Sequence, residues 1–291
     1  MRITDRMVIN HSIYNLQERR QRLGDAQTQV ATGRRLQRSS DSPADVERAM
    51  TLASELSGVQ NQVSNLATTR DWLNGTDVAL EGFNDLMITA RNLALRAASD
   101  SNSENEVAAM ASEVESVLQN AMAIANTNQG GYYLFAGHQV RTQPFSQQGN
   151  AIVYQGDNQE IRHQVEIGQT MPVNITGVAG KNGGILNGLT RLKELQEAMA
   201  SDDRDGVRAF LSQSEEVNAD MYASQSAVGT RMQRIDRTTA RLQDREVGLK
   251  QLYSGLVDAD MAATIAEMSA EEQAYEMTLA TSARAMPRSL M

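Results

Sequence analysis

Between Val207 and Leu256 an apolar residue returns at every seventh position: Val207, Met221, Val228, Ile235, Leu242, Leu249 and Leu256, with Ser214 the one polar member. No proline lies between Val173 and Met286 to break the run. A seven-residue apolar repeat sustained over this distance specifies an α-helix with one seam packed on another helix in a left-handed coiled coil. About 50 residues at 1.5 Å each give a helix of about 75 Å. That is too long for an ordinary globular core, so an elongated molecule is expected. Gly229 and Gly248 sit inside the run, and each weakens it by up to about 1 kcal/mol relative to alanine. Tertiary packing must compensate.

A second repeat of the same kind runs Leu52, Val59, Leu66, Leu73, Leu80, Met87, Ala94 in a stretch without proline from Ala44 to Gln143. Its start is spelled by Ser42-Pro43-Ala44-Asp45: Ser42 accepts from an orphan amide, Pro43 suits the first helical position and Asp45 the positive end of the helix dipole. Another start, the capping-box spelling Ser103-Glu104-Asn105-Glu106, opens a helix carrying Val107, Met110, Val114, Val117, Ala121 and Ile124. These two helices are expected to pair antiparallel.

The middle of the chain differs in chemistry. Gly130 to Gly188 holds 11 of the 20 glycines, and Tyr132, Tyr133, Phe135, Phe145 and Tyr154 lie there among 12 aromatic residues in all. Alternation at Ile152 and Tyr154, then at Ile161, His163, Val165 and Ile167, around Gly156-Asp157-Asn158 predicts a β-hairpin turning at those three residues. A short helix from Ile185 to Ala200 follows, and Ser201-Asp202-Asp203 starts the long one. The expected division is 1–43, an N-terminal assembly helix and connecting loop; 44–131, a first helical arm; 132–184, a small β-rich outer unit; 185–257, a second helical arm; and 258–291, a C-terminal assembly helix. The fold class is mainly α with a small β-rich unit, as an elongated long-helix coiled-coil bundle.

Each end reads as an amphipathic helix. Apolar residues fall at Ile9, Ile13, Leu16, Leu23 and Val30, interrupted by Arg20 and Gln27, and at Met261, Ile265, Met268, Tyr275, Leu279 and Met286, interrupted by Glu272 and Ser282. Residues 1–38 contain eight Arg against two Asp and one Glu, and residues 258–291 six acids against two Arg. Opposite charge favours their association. Narrow stripes leave neither helix stable without a partner, which can be the other end, the chain's own arms or a neighbouring subunit.

Composition excludes several functions. A net charge of -9 and a pI near 5.0 oppose nucleic-acid binding, which needs clustered Lys and Arg. The absence of cysteine removes thiolate catalysis, thiolate metal sites and disulfides. No segment approaches the roughly 20 apolar residues of a membrane span, so no membrane partner is expected, and Met1 to Asn10 lack the pattern of a cleaved signal. His11, His138 and His163 are scattered without a ligand-pair spacing. Gly177-Val178-Ala179-Gly180-Lys181-Asn182 has Ile175 in place of the first glycine of a phosphate loop and Asn182 in place of its Ser or Thr, and reads as a flexible turn. Glu215-Glu216 and Glu271-Glu272 lie on predicted helices as a solvated face. No catalytic residue and no cofactor is expected. The 15 methionines suit either adaptable contact with unlike neighbours or ordinary core filling.

Specific strings go further. Val30-Ala31-Thr32-Gly33-Arg34-Arg35-Leu36 followed by Ser40-Asp41-Ser42-Pro43-Ala44 resembles the N-terminal signature of the flagellin superfamily, with Ser42 where a second Asp is usual. Gly131-Tyr132-Tyr133-Leu134-Phe135-Ala136-Gly137, then Pro144-Phe145 and Tyr154-Gln155-Gly156-Asp157, looks like the middle of the hook-filament junction family within that superfamily. Asp258-Ala259-Asp260-Met261 and Ala283-Arg284-Ala285-Met286-Pro287-Arg288-Ser289-Leu290 are similar to that family's closing helix. The three motifs span the chain in the family's order.

This resemblance implies a flagellin-like fold with N- and C-terminal helices paired, lining a tubular assembly. It implies a structural subunit of the bacterial flagellum, outside the cell, exported by the flagellar type III route. The implied partners are the hook-side junction protein (hook-associated protein 1), flagellin, copies of the chain itself in a ring and an export chaperone. On this reading Ile9, Ile13, Leu16, Leu23 and Val30 pack with Ile265, Met268, Tyr275, Leu279 and Met286 as the assembly interface, and the ends are loosely ordered in the free monomer. Flagellin itself and an unrelated secreted coiled-coil binding module are the alternatives. Self-polymerisation of the purified chain into long filaments distinguishes flagellin.

Overall fold

A computed structural model of the chain describes residues 2–38, 40–99, 103–166 and 168–285. Among the described residues the elements run α1 (Arg2–Thr32), α2 (Pro43–Ala97), α3 (Glu104–Ala125), β1 (Asn128–Gln129), β2 (Tyr132–Tyr133), β3 (Phe145–Gln148), β4 (Ala151–Tyr154), β5 (Arg162–Glu166), β6 (Gln169–Pro172), α4 (Gly184–Ala200), α5 (Arg204–Val257) and α6 (Met261–Ala285). The fold is mainly helical with a small strand-containing part. The chain divides into two compact units, one formed by the chain ends up to Gln60 and from Asp244, the other by Asn61–Gln243.

In the unit Asn61–Gln243 the seven-residue repeats form the core. Leu66, Leu73, Leu80, Met87 and Ala94 of α2 are buried, as are Val207, Met221, Val228 and Ile235 of α5. Ser214, the polar member of the repeat, is fully buried and donates to the Leu211 carbonyl one turn back (2.9 Å), which leaves no orphan hydroxyl in the seam. The two helices run antiparallel, joined across their exposed side by Arg70–Asp236 (2.6 Å) and Arg91–Glu215 (2.7 Å). α3 opens on its capping box: Ser103 accepts from the Glu106 amide (3.4 Å), and Glu106 accepts from the Ser103 amide (2.8 Å). α4 comes close to its neighbours at Gly188, where a Cβ would stand 2.7 Å from the Phe83 ring and 3.1 Å from Val217.

The strands form three separate two-stranded antiparallel hairpins, β1–β2, β3–β4 and β5–β6. The single hairpin turning at Gly156-Asp157-Asn158 does not form. Ile152 and Tyr154 pair instead with Gln147 and Phe145, and Arg162–Glu166 with Gln169–Pro172. The reason lies in Asp157, which serves another loop: its carboxylate accepts from the His138 amide (2.7 Å) and its own amide donates to the Ala136 carbonyl (3.1 Å). Tyr154 closes the arrangement, with its hydroxyl 2.8 Å from the Phe135 and Asp157 carbonyls and its ring 5.2 Å from that of Phe145.

The stretch Gly177–Asn182 is not a loose turn. Asp220 of α5, 5% exposed, accepts from the amides of Lys181 (3.2 Å), Asn182 (2.8 Å) and Gly184 (3.4 Å). Gly180 has φ +113°, and a Cβ there would lie 2.4 Å from the Asp220 carboxylate. The backbone concavity that faintly suggested a phosphate site is filled by the chain's own carboxylate.

Candidate assembly site

The unit made from the chain ends is built by short motifs that turn the chain and dock its helices. Gly33, at φ +68°, ends α1 in the left-handed conformation, with its amide donating to the Gln29 carbonyl (2.8 Å). Beyond it Arg34 bridges to Asp258, the Arg35 amide donates to the Val257 carbonyl (2.8 Å), and the Ala259 amide donates to the Gly33 carbonyl (2.9 Å). The Arg35 side chain spans the Leu256 carbonyl (2.8 Å) and the Asp45 carboxylate (3.2 Å). The Gly-Arg-Arg string is therefore a clasp between the end of α1, the start of α2 and the end of α5.

Asp41 shapes the next turn, accepting from the amides of Arg38 (2.8 Å) and Gln37 (3.1 Å), and those two bonds hold its carboxyl below the ordinary Asp range. Ser42 then caps α2 through the Asp45 amide (3.4 Å), with Pro43 at the first helical position. At the other end Asp260 caps α6 by accepting from Ala262 (3.0 Å) and Ala263 (3.3 Å). Alongside, α2 and α5 contribute buried Ala49, Val59, Leu249 and Val257, with Glu55–Arg245 at 3.3 Å and Gln60 donating to Glu246 at 3.0 Å.

α1 packs on α6, antiparallel in the register set by the clasp. Less exposed positions recur at Ser12, Leu16, Arg19, Leu23, Ala26 and Val30 on α1, and at Thr264, Met268, Glu271, Tyr275, Thr278 and Ser282 on α6. Only Ala26 and Thr264 fall as low as 6% exposed. At mid-seam Arg19 Nη1 donates to both carboxylate oxygens of Glu271 (3.1 and 2.9 Å), and Arg22 stands 3.9 Å from the same carboxylate. The opposite charges of the two chain ends meet here.

Of the ten residues expected at the interface, Leu16, Leu23, Val30, Met268 and Tyr275 lie on this seam, half-buried. Ile13, Ile265 and Leu279 do not: they are 45%, 46% and 43% exposed. Ile9 lies within α1, and Met286 falls outside the described residues. Each of the three exposed residues follows a seam residue directly, after Ser12, Thr264 and Thr278. In an antiparallel pair those positions line one and the same flank of the seam. Apolar spacing alone missed Ser12, Arg19, Ala26, Thr264 and Glu271. Their signal was the opposite charge of Arg19 and Glu271, each flanked seven residues away on both sides by a small residue: Ser12 and Ala26, Thr264 and Thr278.

Among the described residues no helix is long and apolar enough to cross a membrane, and no cluster of His, Asp or Glu could hold a metal ion. His163 Nδ1 lies 2.7 Å from the Thr69 hydroxyl, and His138 Nε2 lies 3.1 Å from the Glu160 carbonyl.

Two family models match, the bacterial flagellin N-terminal helical region over residues 3–140 and the bacterial flagellin C-terminal helical region over residues 211–290. The flagellar hook-associated protein 3 of Salmonella typhimurium is 24% identical, with 97% of this chain and 96% of that protein covered. Its namesake from Escherichia coli is also 24% identical, over 85% of each chain. The fold is that of a flagellar hook-associated protein from Vibrio parahaemolyticus (TM-score 0.70, 20% identical, 75% of this chain and all of that one) and of FlgL from Bacillus cereus (TM-score 0.61, 20% identical, 70% and 99%). With flagellin regions at both ends and relatives of that name along its length, this chain belongs to the flagellin superfamily, among its hook-associated protein 3 members.

Proposed function

We propose that this chain is a structural subunit of the junction between flagellar hook and filament, and that it joins its neighbours through the open flank of the α1–α6 pair. One observation carries the second part: Ile13, Ile265 and Leu279 stay nearly half exposed on a helix pair whose own seam is made by other residues. Full burial of such a side chain contributes about 1.5–3 kcal/mol, so a flank of several is strong enough to hold a neighbouring helix. The partners are the hook-side junction protein on one side, flagellin on the other and copies of this chain in a ring, with a chaperone covering the flank before export. The same flank gives a structural subunit its work without any catalytic step.

The test is to place a charge on the flank. Leu279→Asp adds a carboxylate to an exposed site, so the purified subunit keeps its helicity and melting curve, while a strain carrying only this variant releases its flagellin unpolymerised and does not swim. Normal filament growth on Leu279→Asp subunits would refute the role of the flank.

A further inference from the structure

Arginine collects on one side of α5. Arg231, Arg234, Arg237 and Arg241 follow at intervals of three, three and four residues and so wind along a single side of the helix. That side is not the one facing α2, which Asp236 reaches through Arg70. Arg234 donates to the neutral Gln169 amide oxygen (2.6 Å), and Arg241 pairs with Glu166, both on the hairpin β5–β6. Arg234, Arg237 and Arg241 line an open concavity of about 840 Å³ together with Glu166 and Gln169. Glu166 is engaged by Arg241, and Arg237 is exposed without a hydrogen bond or ion pair among the described residues. Three guanidiniums thus face one carboxylate, a basic patch on a chain of net charge -9.

α2 carries the complement. Asp77, Glu81 and Asp85 recur every four residues with no arginine or lysine between them, and Glu81 and Asp85 are exposed. None of the three carboxylates forms an ion pair within the chain among the described residues. Steps of four residues place them about 6 Å apart along the helix, and the steps from Arg234 to Arg237 to Arg241 are about 4.5 and 6 Å. The two stripes match in length and number and differ in sign.

We propose that the Arg234–Arg237–Arg241 face of one copy receives the Asp77–Glu81–Asp85 stripe of a second copy. Because the two surfaces differ, the contact is head-to-tail and repeats from copy to copy around a closed or helical array. Like faces repel, which excludes the back-to-back alternative. The inference deepens the reading of the chain as a multi-copy structural subunit and uses a surface separate from the α1–α6 flank.

Sedimentation of the purified full-length chain tests it without reference to any flagellum. At low ionic strength the wild-type chain associates with rising concentration, and about 0.3 M salt weakens that association at least about tenfold. Arg234→Glu with Arg237→Glu removes it, and so does Glu81→Lys with Asp85→Lys, with melting curves unchanged because all four side chains are exposed. An equimolar mixture of the two double variants associates again, since each now offers the sign the other lacks. A wild-type chain that stays monomeric at low salt, or a mixture that associates no better than its components, overturns the proposal. Neither result bears on the α1–α6 flank, whose role stands or falls with the Leu279→Asp strain.

Discussion

Asp220 and Tyr154 each hold in place a stretch of chain with no regular structure of its own. Asp220 is buried and satisfies three amides of the Lys181–Gly184 turn. Asp220→Ala leaves those donors unpaired at a cost of about 1–3 kcal/mol, and a urea melt should show a lower midpoint with unchanged slope. Asp220→Asn, which keeps one acceptor, should lose less. Tyr154 is half-buried, and burial pushes its phenol up to about 12, against the pull of the Gly177 backbone amide and with the help of the nearby Asp157 carboxylate. A phenol whose folded pKa lies above its unfolded value near 10 stabilises the fold fully below pH 10. That contribution is lost as pH rises from about 10 to about 12. Spectrophotometric titration should find one late-ionising tyrosine that disappears in Tyr154→Phe, and the variant should lack the corresponding alkaline destabilisation.

At the scale of elements, α1 and α6 divide their apolar residues between an intramolecular seam and an open flank. The seam has few large side chains, and its centre is the half-exposed pair Arg19–Glu271 (2.9 Å), worth at most about 1 kcal/mol. Leu23 is therefore a larger share of the seam's stability than its partial burial suggests. Leu23→Asp should cost about 2 kcal/mol and accelerate amide exchange along both helices in the free subunit, whereas Leu279→Asp should leave that exchange unchanged. Much of this was legible in the sequence: the stripe residues Leu16, Leu23, Val30, Met268 and Tyr275 are seam positions, and the clasp and cap strings sit where the helices end. The assignment of Ile13, Ile265 and Leu279 was not, because apolar spacing along one helix shows no preference for either edge of its stripe. The β-hairpins show the same limit. Tyr154 alternates with Ile152 as a strand should, but its partner Phe145 is chosen by the aromatic packing and by Asp157, whose bonds reach back to Ala136 and His138.

For the whole molecule, the division into a unit of chain ends and the unit Asn61–Gln243 makes a prediction about cooperativity. The core cluster from Leu66 to Ile235 contains no residue of α1 or α6. A fragment spanning residues 43–257 should therefore keep the main calorimetric transition of the full chain within about 3 °C, while losing the low-stability exchange of the terminal helices. Loss of that transition would mean that the ends support the core directly.

The sequence by itself determined the helices, their caps, the two buried seven-residue seams and the opposite charge of the ends, because each is set by residues within a few turns of one another. Tertiary structure alone decided which edge of the terminal stripes is covered, which strands pair and that Asp220 fills the glycine turn. Those outcomes depend on groups brought together from distant parts of the chain, and local periodicity carries no record of them.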